Sequence, residues 1–246
     1  MSLSLLLLTR PRAQSLRFAR RCQSEWPPHR CLIAPLTEIV PLSFDPSSLH
    51  DADALVLTSP NAVPAVAGMA GQVPAWCVGP GTAAAARAAG FTVHVAGGDA
   101  AHLLADLKRA GGNKRLVHVH GRHLARDLVA ELAPLGFDIR GVAVYEAREV
   151  AWPATVLHTI DATPHIVAPL FSPRAAEAFA ARIGTCRAAT LTIVAISTKC
   201  ADRLPDALRA RCIIAQSPDA DAMSRAIGIA LSQCGTANLE AGRRNH

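Results

Sequence analysis

Short apolar runs recur along the chain, and segments of helix length separate them. Some runs contain no polar residue, as at residues 5–8 and 166–168. Such runs are typical of strands that helices cover on both faces, as in a parallel sheet. The predicted strands span residues 4–8, 30–34, 54–58, 75–78, 92–96, 115–120, 139–144, 166–171, 191–196 and 212–215. Strands that alternate with helices predict an α/β fold with doubly wound parallel sheets.

The sequence also contains an internal repeat in permuted order. Residues 58–63, Thr-Ser-Pro-Asn-Ala-Val, correspond to residues 171–176, Phe-Ser-Pro-Arg-Ala-Ala. The N-terminal residues 7–10 correspond to residues 118–122, which lie near the end of the first copy. The start of the chain therefore resembles the end of a repeat, and the simplest fold has one domain inserted into the other.

This order predicts two similar doubly wound parallel-sheet domains. The first is discontinuous and combines residues 1–35 with residues 151–246, whereas the second, residues 43–142, is inserted. The two crossings, residues 36–42 and 143–150, are predicted to form a two-stranded antiparallel linker. Since open α/β sheets bind ligands at the carboxyl ends of their strands, we expect a ligand cleft between the domains.

Composition and charge narrow the choice of partner. The chain has 246 residues, 50% of them hydrophobic, and a formal net charge of +6, which favours anionic partners. No Lys/Arg run alternates with aromatic residues, so we predict a small polyanion and no nucleic acid. Seven cysteines without a CxxC pair predict reduced thiols in a cytoplasmic protein. No apolar run has the length of a membrane span, so we predict no membrane partner.

Several predicted helices start with a hydroxyl residue followed closely by proline. The signature follows predicted strands at residues 9–11, 58–60, 171–173 and 216–218. A hydroxyl can cap a helix, and proline suits its first turn, where no amide hydrogen bond is lost. The N–H groups at such an end attract carboxylates and phosphates. Capping alone also explains each site, but four such starts favour a shared anion-binding rim.

Five short motifs in a fixed order carry a resemblance to one enzyme family. They are Thr9-Arg10-Pro11 after a strand, Thr-Ser-Pro-Asn-Ala-Val at 58–63, Val-Gly-x-x-Thr-Ala at 78–83, Val144-Tyr145-Glu146, and Phe-Ser-Pro-x-Ala at 171–175. Together they resemble the uroporphyrinogen-III synthase family over nearly the whole chain, to about residue 231. The resemblance implies a cofactor-independent lyase, a dehydrating cyclase of porphyrin, tetrapyrrole and haem biosynthesis. We also expect a monomer.

The resemblance implies a substrate and a reaction as well. Linear hydroxymethylbilane loses water at one end, and the far pyrrole ring attacks the resulting electrophile at its own substituted position. A spiro intermediate then allows that ring to invert as the macrocycle closes. The many carboxylates of this substrate suit a basic chain. Because the substrate also cyclises unaided to the uninverted isomer, the enzyme must above all hold a conformation.

The family pattern assigns roles to four residues. Tyr145, the only tyrosine, matches the family's tyrosine and is expected to donate a proton or hydrogen bond to the departing hydroxyl. Packing of the linker against a domain is its alternative role. Ser59, Thr82 and Ser172 match family turns, and their hydroxyls are expected to hold substrate carboxylates, alone or while also capping helices.

Two arginines and a divergent loop complete the predicted site. Arg10 and Arg122 follow equivalent strands and are expected to clamp carboxylates bidentately, with a solvated arginine as the alternative for each. The second copy of the glycine turn departs from the family pattern, because Ser197 stands in place of glycine and Cys200 in place of threonine. We expect Ser197, Thr198 or Lys199 to take over the contact.

Two other functions fit parts of the sequence. Residues 79–84 match GxGxxA after a strand, and Asp99 lies near the end of the next strand, as in an NAD(P)-dependent oxidoreductase. The other copy of the repeat lacks this match. A non-catalytic cleft protein that binds a small anion also suits the fold. His118, His120 and His123 fit no standard zinc spacing, so we predict no metal. The resemblance to the synthase family implies that no cofactor is needed.

Overall fold

The chain forms two compact units in the computed structural model, which describes residues 3–22, 24–96, 100–109, 114–124, 126–184 and 190–243. The first unit comprises Met1–Glu38 and Glu149–His246, and the second comprises Ile39–Arg148. Asp99, named above for the oxidoreductase alternative, lies outside the described residues.

Strands and helices alternate along the chain. In chain order the strands are β1 (Leu5–Leu8), β2 (Arg30–Ile33), β3 (Thr37–Pro41), β4 (Ala54–Leu57), β5 (Ala75–Val78), β6 (Val93–Ala96), β7 (Arg115–Gly121), β8 (Asp138–Glu149), β9 (His165–Leu170), β10 (Thr190–Ala195) and β11 (Cys212–Ile214). The α-helices are α1 (Arg12–Cys22), α2 (Val63–Val66), α3 (Pro80–Ala88), α4 (Ala100–Arg109), α5 (Leu128–Leu132), α6 (Ala154–Asp161), α7 (Pro173–Ile183), α8 (Thr198–Ala201), α9 (Asp206–Arg209) and α10 (Ala220–Arg243). Each predicted strand is present, and β8 spans both the predicted strand at 139–144 and most of the one predicted at 143–150.

The first unit has a five-stranded sheet in the order β11-β10-β9-β1-β2. All of its neighbouring pairs are parallel. β1 is buried on both faces, as its run of leucines predicts. Leu5 and Leu7 share a core with α6, α7 and α8, whereas Leu6 and Leu8 share a core with α1 and α10. Burial of each leucine contributes roughly 1.5–3 kcal/mol, so helices on both faces stabilise the sheet.

The second unit has a six-stranded sheet in the order β3-β8-β7-β4-β5-β6. The strands from β8 to β6 are parallel to their neighbours. β4 is buried on both faces in the same way as β1. Leu55 and Leu57 share a core with α2 and α3, whereas Ala54 and Val56 share a core with α4 and α5. This unit is therefore also a parallel sheet between two layers of helices.

The two sheets have the same strand order once the sequence repeat is applied. The order β11-β10-β9-β1-β2 matches β6-β5-β4-β7-β8, so that β1 corresponds to β7 and β9 corresponds to β4. These are the correspondences that the repeated turns predict. β3 lies outside the shared order and adjoins β8. The N–H of Leu42 donates to the carbonyl oxygen of Val144, and that of Val150 donates to Leu36, each at 3.0 Å.

Two predicted helix starts are wrong. α1 begins at Arg12, so Pro11 precedes its first turn and Thr9 lies further upstream. We expected Ser217 to cap the last helix with Pro218 in its first turn, but α10 begins at Ala220. Asp219 is the cap, and its Oδ1 accepts from the N–H groups of Asp221 at 2.9 Å and Ala222 at 2.8 Å. The Ser217 hydroxyl donates to the Asp219 carboxylate instead. An ionised carboxylate is the stronger acceptor, which favours the later residue as the cap.

Candidate active site

Each sheet has one pair of neighbouring strands whose connections to the next strand lead to opposite sides of the sheet. In the first unit β1 leads to β2 on one side and β9 leads to β10 on the other, so the switch point lies between β1 and β9. In the second unit it lies between β4 and β7. Ligands of open α/β sheets bind outside the carboxyl ends of the strands at such points. These two strand ends are therefore where predicted site residues are expected to gather.

Arg10 follows β1 at the first switch point and packs across Phe171, which follows β9. Its guanidinium carbon lies 4.4 Å from the ring centroid, and its Nε donates to Gln14 Oε1 at 3.0 Å. Burial, together with the charge of Arg17, lowers the pKa of Arg10 to about 10. Arg10 is therefore half-buried and in contact with an aromatic ring. A bound carboxylate would favour its charged form, so this environment suits an anion-binding group.

Two serines cap helical turns at the switch points. Ser172 is the N-cap of α7, and its Oγ accepts from the N–H of Ala175 at 3.1 Å. Ser59 caps the 3-10 turn Pro60–Ala62 and accepts from the N–H of Asn61 at 3.2 Å. A cap of this kind contributes about 1 kcal/mol. Capping leaves the hydroxyl hydrogen of each serine for a second partner, so both predicted roles are compatible.

The divergent loop packs onto the Ser172 turn. Ser197 caps α8, where its Oγ accepts from the N–H of Cys200 at 3.3 Å, and the exposed Thr198 begins the helix. The Cys200 thiol donates to the carbonyl oxygens of Ser172 at 3.3 Å and Leu170 at 3.6 Å. Burial raises the pKa of Cys200 to about 11. The thiol therefore stays protonated and holds the turn that carries Ser172.

A buried histidine connects the two strands of the second switch point. The Nε2 of His118, on β7, lies 3.2 Å from the hydroxyl of Thr58, which follows β4 and precedes Ser59. Burial and, secondarily, the charge of His120 lower the pKa of His118 to about 4. His118 is therefore neutral near pH 7, and its hydrogen bond fixes the start of the Ser59 turn.

Tyr145 lies across Gly121, the last residue of β7. A Cβ atom at residue 121 would come within 2.6 Å of the Tyr145 ring and 3.0 Å of its hydroxyl, so the ring needs glycine at this position. The N–H of Arg122 donates to the carbonyl oxygen of Tyr145 at 2.8 Å. The structure thus brings Tyr145 and Arg122 together beside the second switch point. Tyr145 also packs against the core shared with α2 and α3.

Thr82 occupies the first turn of α3, after the glycine turn that follows β5. Gly79 has φ +85°, a left-handed conformation that favours glycine. Thr82 is at the carboxyl edge of the sheet, as predicted from the turn, but it is 4% exposed. Its hydroxyl is therefore less accessible than that of the half-buried Ser59.

The sequence did not predict three contacts at these strand ends. They are the Phe171 ring beneath Arg10, the His118 bond to Thr58, and the Cys200 bond to the Ser172 turn. Each joins residues that are distant in sequence and meet because their strands are neighbours. The Phe-Ser-Pro motif contains Phe171, so the motif was a signal for one of them. The strand order needed to find the other two is not visible in a local pattern.

A family model decides between the alternative functions. The model for uroporphyrinogen-III synthase HemD matches residues 28–225, which is most of the chain. The chain belongs to the uroporphyrinogen-III synthase family. None of the curated proteins matches it. The match includes the GxGxxA turn, and the NAD(P)-dependent oxidoreductase alternative is accordingly not favoured.

Solved uroporphyrinogen-III synthases have the same fold. The synthetase of Helicobacter pylori 26695 matches with a TM-score of 0.65 at 19% identity, over 95% of this chain and 100% of that chain. A mutant synthase of the extremely thermophilic bacterium Thermus thermophilus matches with a TM-score of 0.51 at 15% identity, over 94% of this chain and 99% of that chain. These likenesses confirm a mixed α/β fold with parallel sheets.

Family membership confirms the predicted activity. The chain is a cofactor-independent lyase, a cyclase of tetrapyrrole and haem biosynthesis, and its family acts on hydroxymethylbilane. Within the residues that the structure describes, no three or more His, Cys, Asp or Glu side chains are grouped as metal ligands. No helix in the described ranges has the length and apolarity to cross a bilayer.

Proposed function

We propose that the two units act as two domains joined by a two-stranded antiparallel linker, residues 36–42 and 143–150. The two hydrogen bonds Leu42–Val144 and Val150–Leu36 support this, because residue numbers rise along one strand while they fall along the other. In this proposal the first domain is residues 1–35 and 151–246, and the second is residues 43–142.

The proposed catalytic residue is Tyr145. Its phenol donates a proton to the departing hydroxyl of hydroxymethylbilane, the C–O bond breaks, and the hydroxyl leaves as water. The electron pair of the adjacent pyrrole stabilises the electrophile that remains, and the far ring attacks it. The position of the Tyr145 ring across Gly121, beside Arg122, supports this role. General acid catalysis of this kind contributes about 10²–10⁴-fold to a rate.

The proposed substrate-binding residues hold carboxylates so that the far ring reaches the electrophile in the inverting orientation. They are Arg10, Ser59, Thr82, Arg122, Ser172, Ser197 and Thr198. The observation that carries this proposal is their position, because all of them follow the carboxyl ends of strands in the two parallel sheets. Arg10 and Ser172 meet at one switch point, and Ser59 and Arg122 follow the two strands of the other.

Product analysis with freshly prepared hydroxymethylbilane tests the proposal. We expect the protein to give the inverted isomer, whereas the unaided reaction gives the uninverted one. Tyr145→Phe keeps the packing of the ring and removes the proton, and it is expected to lower kcat about 10²-fold with an unchanged unfolding midpoint. Full activity of Tyr145→Phe would exclude the proton-donor role. Production of the uninverted isomer alone would favour the anion-binding alternative.

We also propose that the protein is a cytoplasmic monomer. The free thiols of Cys31, Cys77, Cys200 and Cys212 suit a reducing compartment. Light scattering of the purified protein tests the oligomeric state, since a mass of twice 25.8 kDa would exclude the monomer.

A further inference from the structure

One carboxylate, Glu146, stands among three basic side chains in the second unit. Its Oε1 lies 3.5 Å from Arg122 Nη1 and 3.9 Å from His123 Nε2, and its Oε2 lies 3.7 Å from Arg148 Nη2. The Glu146 side chain is 18% exposed, whereas the side chains of Arg122, His123 and Arg148 are 56%, 57% and 56% exposed. The two arginines alone outweigh the carboxylate, so the cluster is cationic and open to solvent.

Two other ion pairs of the same unit are shorter than those of this cluster. Arg126 Nε lies 2.6 Å and 2.7 Å from the two carboxylate oxygens of Glu131. Arg115 donates to the carboxylate of Asp53 at 3.1 Å and 3.2 Å. Glu146, at 3.5 Å and beyond, attracts its basic neighbours without forming the short bonds of about 2.7–2.9 Å that saturate donors.

This geometry leaves guanidinium donors available for a second carboxylate. Arg122 and Arg148 each present a planar fork of N–H groups that matches a carboxylate bidentately. Glu146 lies between them and offsets their mutual repulsion. An anion that approaches the exposed side of the cluster therefore finds the two guanidinium forks and a ring N–H of His123.

The cluster is joined to Tyr145 through the backbone. Glu146 follows Tyr145 directly on β8, and the N–H of Arg122 donates to the Tyr145 carbonyl oxygen at 2.8 Å. His123 follows Arg122, and Arg148 lies two residues beyond Glu146. The cluster and Tyr145 therefore lie on the same stretch of β8 and on the residues that follow β7.

We propose that Arg122, His123 and Arg148 form a subsite for a carboxylate arm of the linear tetrapyrrole, and that Glu146 positions the two arginines for it. The inference rests on the proposed function and deepens it. Arg148 and His123 become binding residues, and Glu146 becomes a positioning residue that acts through the arginines and does not itself contact the substrate.

Steady-state kinetics of the full-length protein with fresh hydroxymethylbilane test the subsite. Arg148→Gln is expected to raise KM about fivefold and to leave kcat within about twofold, because it removes binding common to ground and transition states. Arg148→Lys keeps the charge without the planar fork, so an intermediate KM is expected. Glu146→Gln makes the cluster more positive. If the cluster attracted the substrate by charge alone, Glu146→Gln would have a lower KM than the parent. Because Glu146 is proposed to position the arginines, we expect the KM of this variant to rise about threefold.

Matched controls come from exposed ion pairs of the same unit. Glu131→Gln and Arg109→Gln, which break the pairs Arg126–Glu131 and Arg109–Asp106, are expected to leave KM within about twofold of the parent value. Unfolding midpoints of all variants are measured alongside. If Glu146→Gln shifts the unfolding midpoint, the KM of Arg148→Gln is the test of the subsite. The Arg148 side chain is 56% exposed, so its replacement is expected to change folding little.

An unchanged KM in Arg148→Gln would overturn the subsite, and a lowered KM in Glu146→Gln would overturn the positioning role. In either case a parent protein that makes the inverted isomer keeps the proposed function intact. A parent protein that makes the uninverted isomer alone would overturn the proposed function, and the subsite with it.

Discussion

His118 and Cys200 are buried polar side chains, and each fixes a turn that carries a proposed substrate-binding serine. His118 bonds to Thr58 beside Ser59, and the Cys200 thiol donates to the carbonyl oxygen of Ser172. Neither side chain is charged near pH 7, because burial lowers the pKa of His118 to about 4 and raises the pKa of Cys200 to about 11. A turn held by neutral groups presents its own N–H and hydroxyl groups to a polyanion without a competing carboxylate.

The buried His118 makes stability depend on pH. Its pKa is lowered from 6.5 to about 4 in the folded protein. The unfolded chain therefore binds more protons between these values, and the free energy of unfolding falls as the pH drops through this window. The loss reaches about 3 kcal/mol, since each pKa unit corresponds to about 1.4 kcal/mol. Urea unfolding at pH values from 7.5 to 4, spaced roughly half a pH unit apart, measures this loss of unfolding free energy.

His118→Gln is the variant that tests this assignment. The amide can still bond to Thr58, but it does not titrate, so the slope of stability against pH is expected to fall by up to about 1.4 kcal/mol per pH unit. His50→Asn, at an exposed histidine of the same unit, is the matched control. An unchanged slope in His118→Gln would mean that another group causes the acid sensitivity.

For single residues, the sequence indicates the residue types of the site but not their contacts. Tyr145, Arg122 and Gly121 are all visible in the motifs or beside them. That the tyrosine ring lies across the glycine depends on an irregular register between β7 and β8, where His120 pairs with Ala143 but Gly121 pairs with Tyr145. A shift of this kind has no local sequence signal, so the need for glycine at residue 121 could not be predicted.

The first turns of several helices carry candidate site residues, because these helices begin directly after the strand ends. Ser172, Ser59 and Ser197 each accept from an N–H group of the following turn. The same residues are proposed to contact substrate carboxylates, so an alanine substitution would mix a loss of stability with a loss of binding. Exchanges that keep the cap separate the two roles.

Ser172→Asp and Ser172→Asn separate capping from binding. Both residues cap helices as well as serine does, so unfolding midpoints are expected to stay near the parent value. Asp adds a negative charge where a carboxylate is proposed to bind, and it is expected to raise KM about tenfold, whereas neutral Asn changes KM about threefold at most. Steady-state kinetics with hydroxymethylbilane measure the difference. Equal KM values for the two variants would show that Ser172 caps α7 and does not face the substrate.

Elements were predictable where burial leaves a pattern in the sequence. β1 and β9 were found because helices cover both of their faces, so their runs contain almost no polar residue. The cap of α10 was not found, because Ser217 and Asp219 both suit the position and the choice depends on which of them is the stronger acceptor. The half-exposed β3 has no continuous apolar run, and only its position in the permuted repeat predicted a strand there.

Over the whole molecule, the hydrophobic cores divide between the two units. The clusters on the two faces of the first sheet are built from residues of Met1–Glu38 and Glu149–His246. Those on the faces of the second sheet are built from residues of Ile39–Arg148. The insertion of one repeat into the other, inferred from the order of the turns, requires such a division. The second unit is therefore continuous in sequence, whereas the first is not.

Residues 39–148 expressed alone are expected to fold, whereas residues 149–246 alone are not. The first fragment keeps both cores of its sheet. The second lacks β1 and β2, so β9 loses its neighbour and the buried leucines of β1 leave both cores. Thermal unfolding followed by circular dichroism should show one cooperative transition for residues 39–148 and none for residues 149–246, and co-expression with residues 1–38 should restore a transition. A fragment 39–148 without a cooperative transition would show that its core depends on the rest of the chain, which would contradict the proposed inserted domain.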